Sequence, residues 1–178
     1  MNSTRRQWMK VAPVAVVSAV AGARTVSAFE FPGEPILEFT SMAGNEPDVI
    51  INGNDADDLG WDVLDADGIL TFDGHLRILV IGLVFDEGPD AGKNTFHRFR
   101  AIVSCTTLDD NDQQIVVNRS TEDFPATVPG GNSLILSKVT LPNPCFAPII
   151  FVGPGAGLAR NTIIDGGEWF ASTGKKIG

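Results

Sequence analysis

The chain has 178 residues, 43% of them hydrophobic and 20% charged, with 19 Gly, 11 Pro, two Cys, no Tyr and a formal net charge of −9. That length suits one domain and is short for two, and the composition excludes collagen-like and low-complexity chains. An acidic chain is repelled by nucleic acid and by anionic lipid surfaces, so neither is an expected partner.

Residues 1–28 read as an export signal rather than as part of the fold. Thr4-Arg5-Arg6-Gln7-Trp8-Met9-Lys10 resembles the twin-arginine motif, with Trp8 and Met9 where Phe and Leu are more usual. The apolar stretch 11–23 has the length of a signal core and is short for a membrane span. Arg24 follows it, and Val26-Ser27-Ala28 offers small residues for cleavage after Ala28. An ordinary Sec signal and an uncleaved N-terminal anchor are the alternatives. Export places the mature chain outside the cytoplasm: secreted, periplasmic or on the cell surface, with no membrane span of its own. Removing the signal takes away Arg5, Arg6, Lys10 and Arg24 and no acid, leaving nine basic against 22 acidic residues, a net −13.

The mature segment 29–178 is expected to form a single domain. At about 150 residues it can bury roughly two-thirds of its unfolded surface and needs no metal to fold. No sustained 3.6-residue apolar repeat is present, and turn residues recur at short intervals. This pattern predicts an all-β, antiparallel β-sandwich, Ig-like or jelly-roll-like. Strands are predicted at 36–40, 49–51, 61–64, 69–72, 76–85, 96–106, 114–119, 133–141, 148–152, 161–164 and 169–172.

Segment 76–85 is the strongest of these and is apolar on both faces from Ile78 onward. A sandwich strand needs only one apolar face, so a covering loop, a partner chain or a ligand is expected over the other. Segment 96–106 is expected to pair back on it as a hairpin. Period-two alternation puts His97, Phe99, Ala101, Val103 and Cys105 on its core face and Arg98 and Arg100 toward solvent.

Two cysteines in an exported chain most simply form one disulfide, Cys105–Cys145. It closes a loop of about 40 residues, worth roughly 3–4 kcal/mol in the chain-entropy model.

The acids concentrate between Glu46 and Asp73, where nine of them occur without a Lys or Arg. Oxygens from Asn52, Asn54, Asp55, Asp57 and Asp58 suit Ca²⁺, a hard cation that takes many oxygen ligands. Asp65 and Asp67 complete the candidate metal set. The EF-hand pattern is not met, because Leu59 stands at the fifth position from Asp55 and no Glu at the twelfth. Solvated acidic loops explain the same run, and Asp65-Ala66-Asp67-Gly68 also reads as a β-turn. A two-carboxylate hydrolase needs one acid set apart by burial or a like charge, and the sequence singles out no pair. Sugar hydrolysis also usually wants aromatic platforms, and the mature chain keeps only Trp61 and Trp169.

Other chemistry finds less support. His75 and His97 start separate strong strands and read as strand-end residues, not as a shared metal site. No G-x-S-x-G is present. Gly153-Pro154-Gly155-Ala156-Gly157 lacks the βαβ context of a dinucleotide loop and reads as a hairpin loop. The sequon Asn118-Arg119-Ser120 reads as a chance match.

Phe99-Arg100-Ala101-Ile102-Val103-Ser104-Cys105, Phe124-Pro125-Ala126-Thr127, Leu141-Pro142-Asn143-Pro144-Cys145-Phe146-Ala147-Pro148-Ile149-Ile150-Phe151-Val152 and Trp169-Phe170-Ala171-Ser172-Thr173-Gly174 together resemble a family of small secreted β-rich proteins. The resemblance implies a β-rich domain with one Cys pair, and no activity, cofactor or catalytic residue. Three classes of function remain open. The first is an exported non-catalytic protein that binds an extracellular ligand or serves as an envelope component. The second is a Ca²⁺-binding module or small metal-dependent enzyme centred on 52–67. The third is a self-associating structural protein, motivated by strand 76–85.

Overall fold

The computed structural model describes residues 32–173. The segment 1–28 expected to be an export signal, and the expected cleavage point after Ala28, lie outside the described residues. In chain order the strands are β1 (Pro35–Phe39), β2 (Ala43–Gly44), β3 (Ile50–Ile51), β4 (Asn54–Asp55), β5 (Trp61–Asp62), β6 (Asp65–Thr71), β7 (His75–Ile81), β8 (Val84–Phe85), β9 (Arg98–Leu108), β10 (Gln114–Ser120), β11 (Phe124–Pro125), β12 (Ser133–Lys138), β13 (Phe146–Pro154), β14 (Thr162–Ile164) and β15 (Ala171–Ser172). No helix occurs among the described residues, so none is long and apolar enough to cross a membrane.

Alternation builds the sandwich. On β7, Leu76, Ile78 and Val80 are fully buried while His75, Arg77, Leu79 and Ile81 point the other way and are half-buried. The four-stranded sheet runs β1-β6-β7-β12, every pair antiparallel. The larger sheet runs β14-β10-β9-β13-β15-β2, with β11 on the start of β9. Phe99, Ala101, Val103 and Cys105 of β9 and Ile150 and Val152 of β13 meet Leu70, Leu76, Ile78, Val80 and Ile135 of the smaller sheet in one core. Each such side chain contributes roughly 1.5–3 kcal/mol on burial. Trp61 closes one end of this core, stacked on Phe170 at 3.9 Å and tilted against Phe85 at 4.1 Å between ring centres. The all-β antiparallel sandwich and the disulfide are as expected. Cys105 and Cys145 are bonded with their Cα atoms 5.1 Å apart, tying β9 to the segment that enters β13.

Six local expectations are corrected. Segment 76–85 is not one strand: Gly82 takes φ +65°, β7 ends at Ile81, and β8 pairs with β5 instead. A side chain at 82 would stand 2.8 Å from the Leu64 Cβ, so only glycine makes this break. Segment 96–106 does not pair back on β7. The chain crosses to the other sheet, where β9 takes β10 and β13 as neighbours.

Asp65-Ala66-Asp67-Gly68 is strand, not turn. Ala66, Gly68 and Leu70 face inward, and Gly68 is needed because a Cβ there would meet the Phe39 ring at 2.4 Å. The turn falls later, at Phe72-Asp73, closed by Gly74 N donating to Thr71 O.

The doubly covered strand is β9 rather than 76–85. Its second face, Arg100, Ile102 and Ser104, is buried, while the outer face of β7 stays half-open. Arg100 is therefore inside and not solvent-facing, and His97 lies exposed just before β9 rather than in the core.

Candidate functional site

What covers β9 is a strap made of two distant segments. Val49, Ile51 and Ala56 on one side and Ile164 and Trp169 on the other pack over Ile102, Ile149 and Phe151. Asn52-Gly53 turns the β3–β4 hairpin with both residues at positive φ, +52° and +76°, the geometry a two-residue hairpin loop requires. Asn54 is fully buried and donates to the Asn118 side chain at 3.2 Å, while the Asn118 amide donates to Asn52 O at 3.0 Å. The sequon asparagine is thus a buried structural residue.

The two segments zip together in parallel. Asp55 N donates to Gly167 O at 3.1 Å, Trp169 N to Asp55 O at 3.0 Å and Asp57 N to Trp169 O at 3.0 Å. The Trp169 indole, fully buried, donates to Asn54 O at 3.2 Å. Gly166 permits this approach, since a Cβ there would lie 1.9 Å from Gly53 O.

The zipper gathers carboxylates. A cleft of about 550 Å³ is lined by Gly53, Asp55, Asp58, Asp165, Gly167 and Glu168. Glu168 and Asp57 sit within hydrogen-bonding reach of each other. Partial desolvation, that bond and the charges of Asp57 and Asp58 push the Glu168 carboxyl up to about 7, and Arg100 opposes them. Arg100 lies beneath, its Nη2 2.8 Å from where a Cβ on Gly167 would stand. It donates to Pro154 O at 2.9 Å and Ser120 Oγ at 3.0 Å. Burial pulls its guanidinium below the ordinary value, and Asp123 and Glu168 pull it back.

The candidate metal set therefore divides. Asp55 and Asp58 line the cleft and Asp57 meets Glu168 at its edge. Asp57 also accepts Leu59 N at 2.8 Å. Asn52 turns away to Ser104 Oγ at 2.9 Å. Asp65 and Asp67 stand on β6 and are not among the cleft-lining residues; Asp67 pairs with Arg77. Asp73 meets His75 at 3.2 Å and Lys138 at 3.5 Å. These ion pairs of the acidic run go to residues of the smaller sheet, not to Arg98 or Arg100. Among the described residues no group of three or more His, Cys, Asp or Glu is arranged to hold a metal ion. Sequence reasoning missed Asp165, Glu168 and Arg100. The Gly166-Gly167 pair before Glu168 is the only local sign of the close approach that brings them in.

Both mature tryptophans are buried, so neither offers a ring face to a sugar. Gly153 and Pro154 end β13, paired with Arg100 and Phe99, and Gly155-Ala156-Gly157 begins the connection to the non-adjacent β14, so the segment is not a hairpin loop. The Asp123 carboxylate accepts its Ala156 and Gly157 amides at 3.1 and 3.0 Å.

A second surface lies on the outer face of the four-stranded sheet. Leu134 of β12, the last strand of that sheet, lies opposite Leu79 of β7, and Leu136 lies opposite Arg77, which pairs with Asp67 on β6. Leu134 and Leu136 are 47% and 49% exposed, and Leu64 lies exposed beside Gly82 at the end of β7.

Fold and surface together define a disulfide-bridged antiparallel β-sandwich with an acidic cleft on one sheet and half-exposed leucines on the edge strand of the other. Comparison with known proteins finds no matching family model, no similar curated protein and no similar solved structure.

Proposed function

We propose that the protein is an exported, non-catalytic sandwich domain that works by binding outside the cytoplasm, as a ligand-binding or envelope component. One observation carries this reading: on β12, the last strand of the four-stranded sheet, Leu134 and Leu136 are about half exposed, next to the partly buried Leu79 and the Asp67–Arg77 pair. Apolar side chains gathered on an otherwise polar surface mark interaction sites more often than scattered ones do. Export rests on the twin-arginine-like segment and fits the disulfide, which persists in oxidising compartments. The resemblance to small secreted β-rich proteins points the same way.

The test is retention on the isolated envelope fraction of the producing cell, comparing the mature protein with Leu134→Glu/Leu136→Glu. The wild type is expected to be retained and the double variant to lose at least about tenfold in affinity, with an unchanged melting temperature. Equal retention of both would overturn the reading.

The same face supports self-association as the occupant. Light scattering across a range of concentrations separates that case, since a second copy would raise the mass with concentration. The cation reading keeps one supporting observation, the crowding of Asp57, Asp58 and Glu168 at the cleft. Added Ca²⁺ would then raise the melting temperature, and an unchanged value would remove it.

A further inference from the structure

A second cleft, of about 280 Å³, opens where β14 stops short along β10. Only Asn118, Arg119 and Ser120 of the seven-residue β10 pair with β14. Val117, Pro142 and Ile163 give the cleft apolar walls, and Arg119 and Asp165 bring one charge of each sign to it. Arg119 lies opposite Val103 of β9 and Ile163 of β14, so it faces the core side of the larger sheet. Its Nε is buried without a hydrogen-bond partner, and neither Arg119 nor Asp165 takes part in an ion pair among the described residues. A buried polar atom left unpaired is rare and calls for a group that completes it. For a guanidinium the fitting group is an anion, a carboxylate above all. Asp165, exposed on the same cleft, repels a plain anion, and so does the formal net charge of −9. A molecule carrying both signs satisfies both side chains.

The walls are fixed by bonds of their own. Asn118 Nδ2 donates to Asn52 O at 3.0 Å and holds the β3–β4 turn to β10. Thr140 N donates to Asn161 Oδ1 at 2.7 Å and Asn161 Nδ2 to Thr140 Oγ1 at 3.0 Å, which ties the segment carrying Pro142 to the start of β14. The Cys105–Cys145 bridge anchors the far end of that segment. A site held in this way has little ordering cost left to meet on binding. We propose that the cleft binds a small zwitterion with an apolar side chain, an apolar amino acid or dipeptide. Its carboxylate accepts from Arg119, its ammonium donates to Asp165, and its side chain lies against Val117, Pro142 and Ile163. Pockets for drug-sized molecules run from about 300 to about 1,000 Å³, so this volume suits a molecule somewhat smaller. The site uses neither Leu134 and Leu136 nor the carboxylates of 55–58, and it stands or falls apart from envelope binding.

The test uses the protein with its disulfide intact. The probes are L-leucine and L-leucyl-L-leucine, titrated to about 10 mM and followed by calorimetry and by backbone amide shifts. Saturable binding of at least one of them is expected, with shifts at Val117, Arg119, Ile163 and Asp165. N-acetylleucine lacks the ammonium and leucinamide lacks the carboxylate, and each is expected to bind roughly tenfold more weakly or worse. Arg119→Met is expected to weaken the zwitterion by a similar factor and to leave leucinamide as it was. Asp165→Asn is expected to weaken the zwitterion and to leave N-acetylleucine no weaker. Asp165 is exposed, so its variant and the blocked probes decide the matter even where Arg119→Met folds poorly. Absence of saturable binding by both probes would overturn the proposal. Blocked forms that bind as well as the free ones would overturn it too, and so would shifts confined to other surfaces.

Discussion

Glu168 binds its proton more tightly in the folded chain than the ordinary value of 4.5 allows, at about 7. Between those values the native state holds more proton than the unfolded one, so the stabilisation is complete below about pH 4.5 and is lost as the pH rises toward 7. Urea midpoints at the two ends of that window should show the wild type falling and Glu168→Gln falling less; parallel falls would contradict the assignment. Asp73 and Asp109 act in the opposite direction. The Thr71 hydroxyl holds the Asp73 carboxyl down, and the Gln113 and Asn111 amides do the same for Asp109, so their contribution is lost only as the pH drops below 3.8. The two windows do not overlap.

Asn94 gives a test free of charge. Buried, it donates to Phe96 O at 2.7 Å and Thr127 O at 3.0 Å, and its Oδ1 accepts from Phe96 N at 2.9 Å. Asn94→Ala leaves those groups unpaired and should cost about 1–3 kcal/mol in a denaturant titration. Gly74, at φ +83°, has Val139 O 1.8 Å from where a Cβ would stand. Gly74→Ala should therefore destabilise more than Gly88→Ala, where the positive φ strains any side chain but nothing lies within 4 Å.

At the scale of elements, the disulfide joins β9 to the residue just before β13, its neighbour in the larger sheet. Replacing both cysteines with Ala should cost about 2–5 kcal/mol while the sandwich still forms, read as a lower denaturant midpoint with an unchanged slope. A lost slope would mean that the bridge is needed for the fold itself.

The strands were legible where alternation and burial agree. Residues 76–81 and 98–106 carry apolar side chains at every second position, and period two is enough to place both. Asp65-Ala66-Asp67-Gly68 misled because outward aspartates on a strand and aspartates in a turn look alike over four residues. What decides it is the Phe39 ring packed on Gly68, a contact some thirty positions away. Arg100 alternates correctly, yet the face it points to is covered by segments that start near residues 49 and 164. No local pattern reports such a cover. The acidic cleft was half legible for the same reason: Asp55, Asp57 and Asp58 are neighbours in sequence, whereas Glu168 arrives from the far end of the chain.

For the whole molecule, export and binding are separable. If the twin-arginine reading is right, replacing Arg5 and Arg6 with Lys leaves the precursor uncleaved in the cytoplasm, and the exported wild type begins at Phe29. Normal export of the Lys variant would return the segment to the Sec alternative. With residues 1–28 removed, the net charge would be −13, which disfavours contact with polyanions, so contact with an envelope would come through apolar side chains rather than charge. At the edge of the four-stranded sheet, Leu134 and Leu136 stand half exposed beyond the Asp67–Arg77 ion pair and are the candidate contact.

The most direct measurement is a hydrogen-exchange footprint of the mature protein with and without the isolated envelope fraction. Binding through the outer sheet face predicts added protection in β7 and β12, around Leu79, Ile81, Leu134 and Leu136, with the 53–58 strap unchanged. Protection confined to the strap and cleft, or none anywhere, would contradict it.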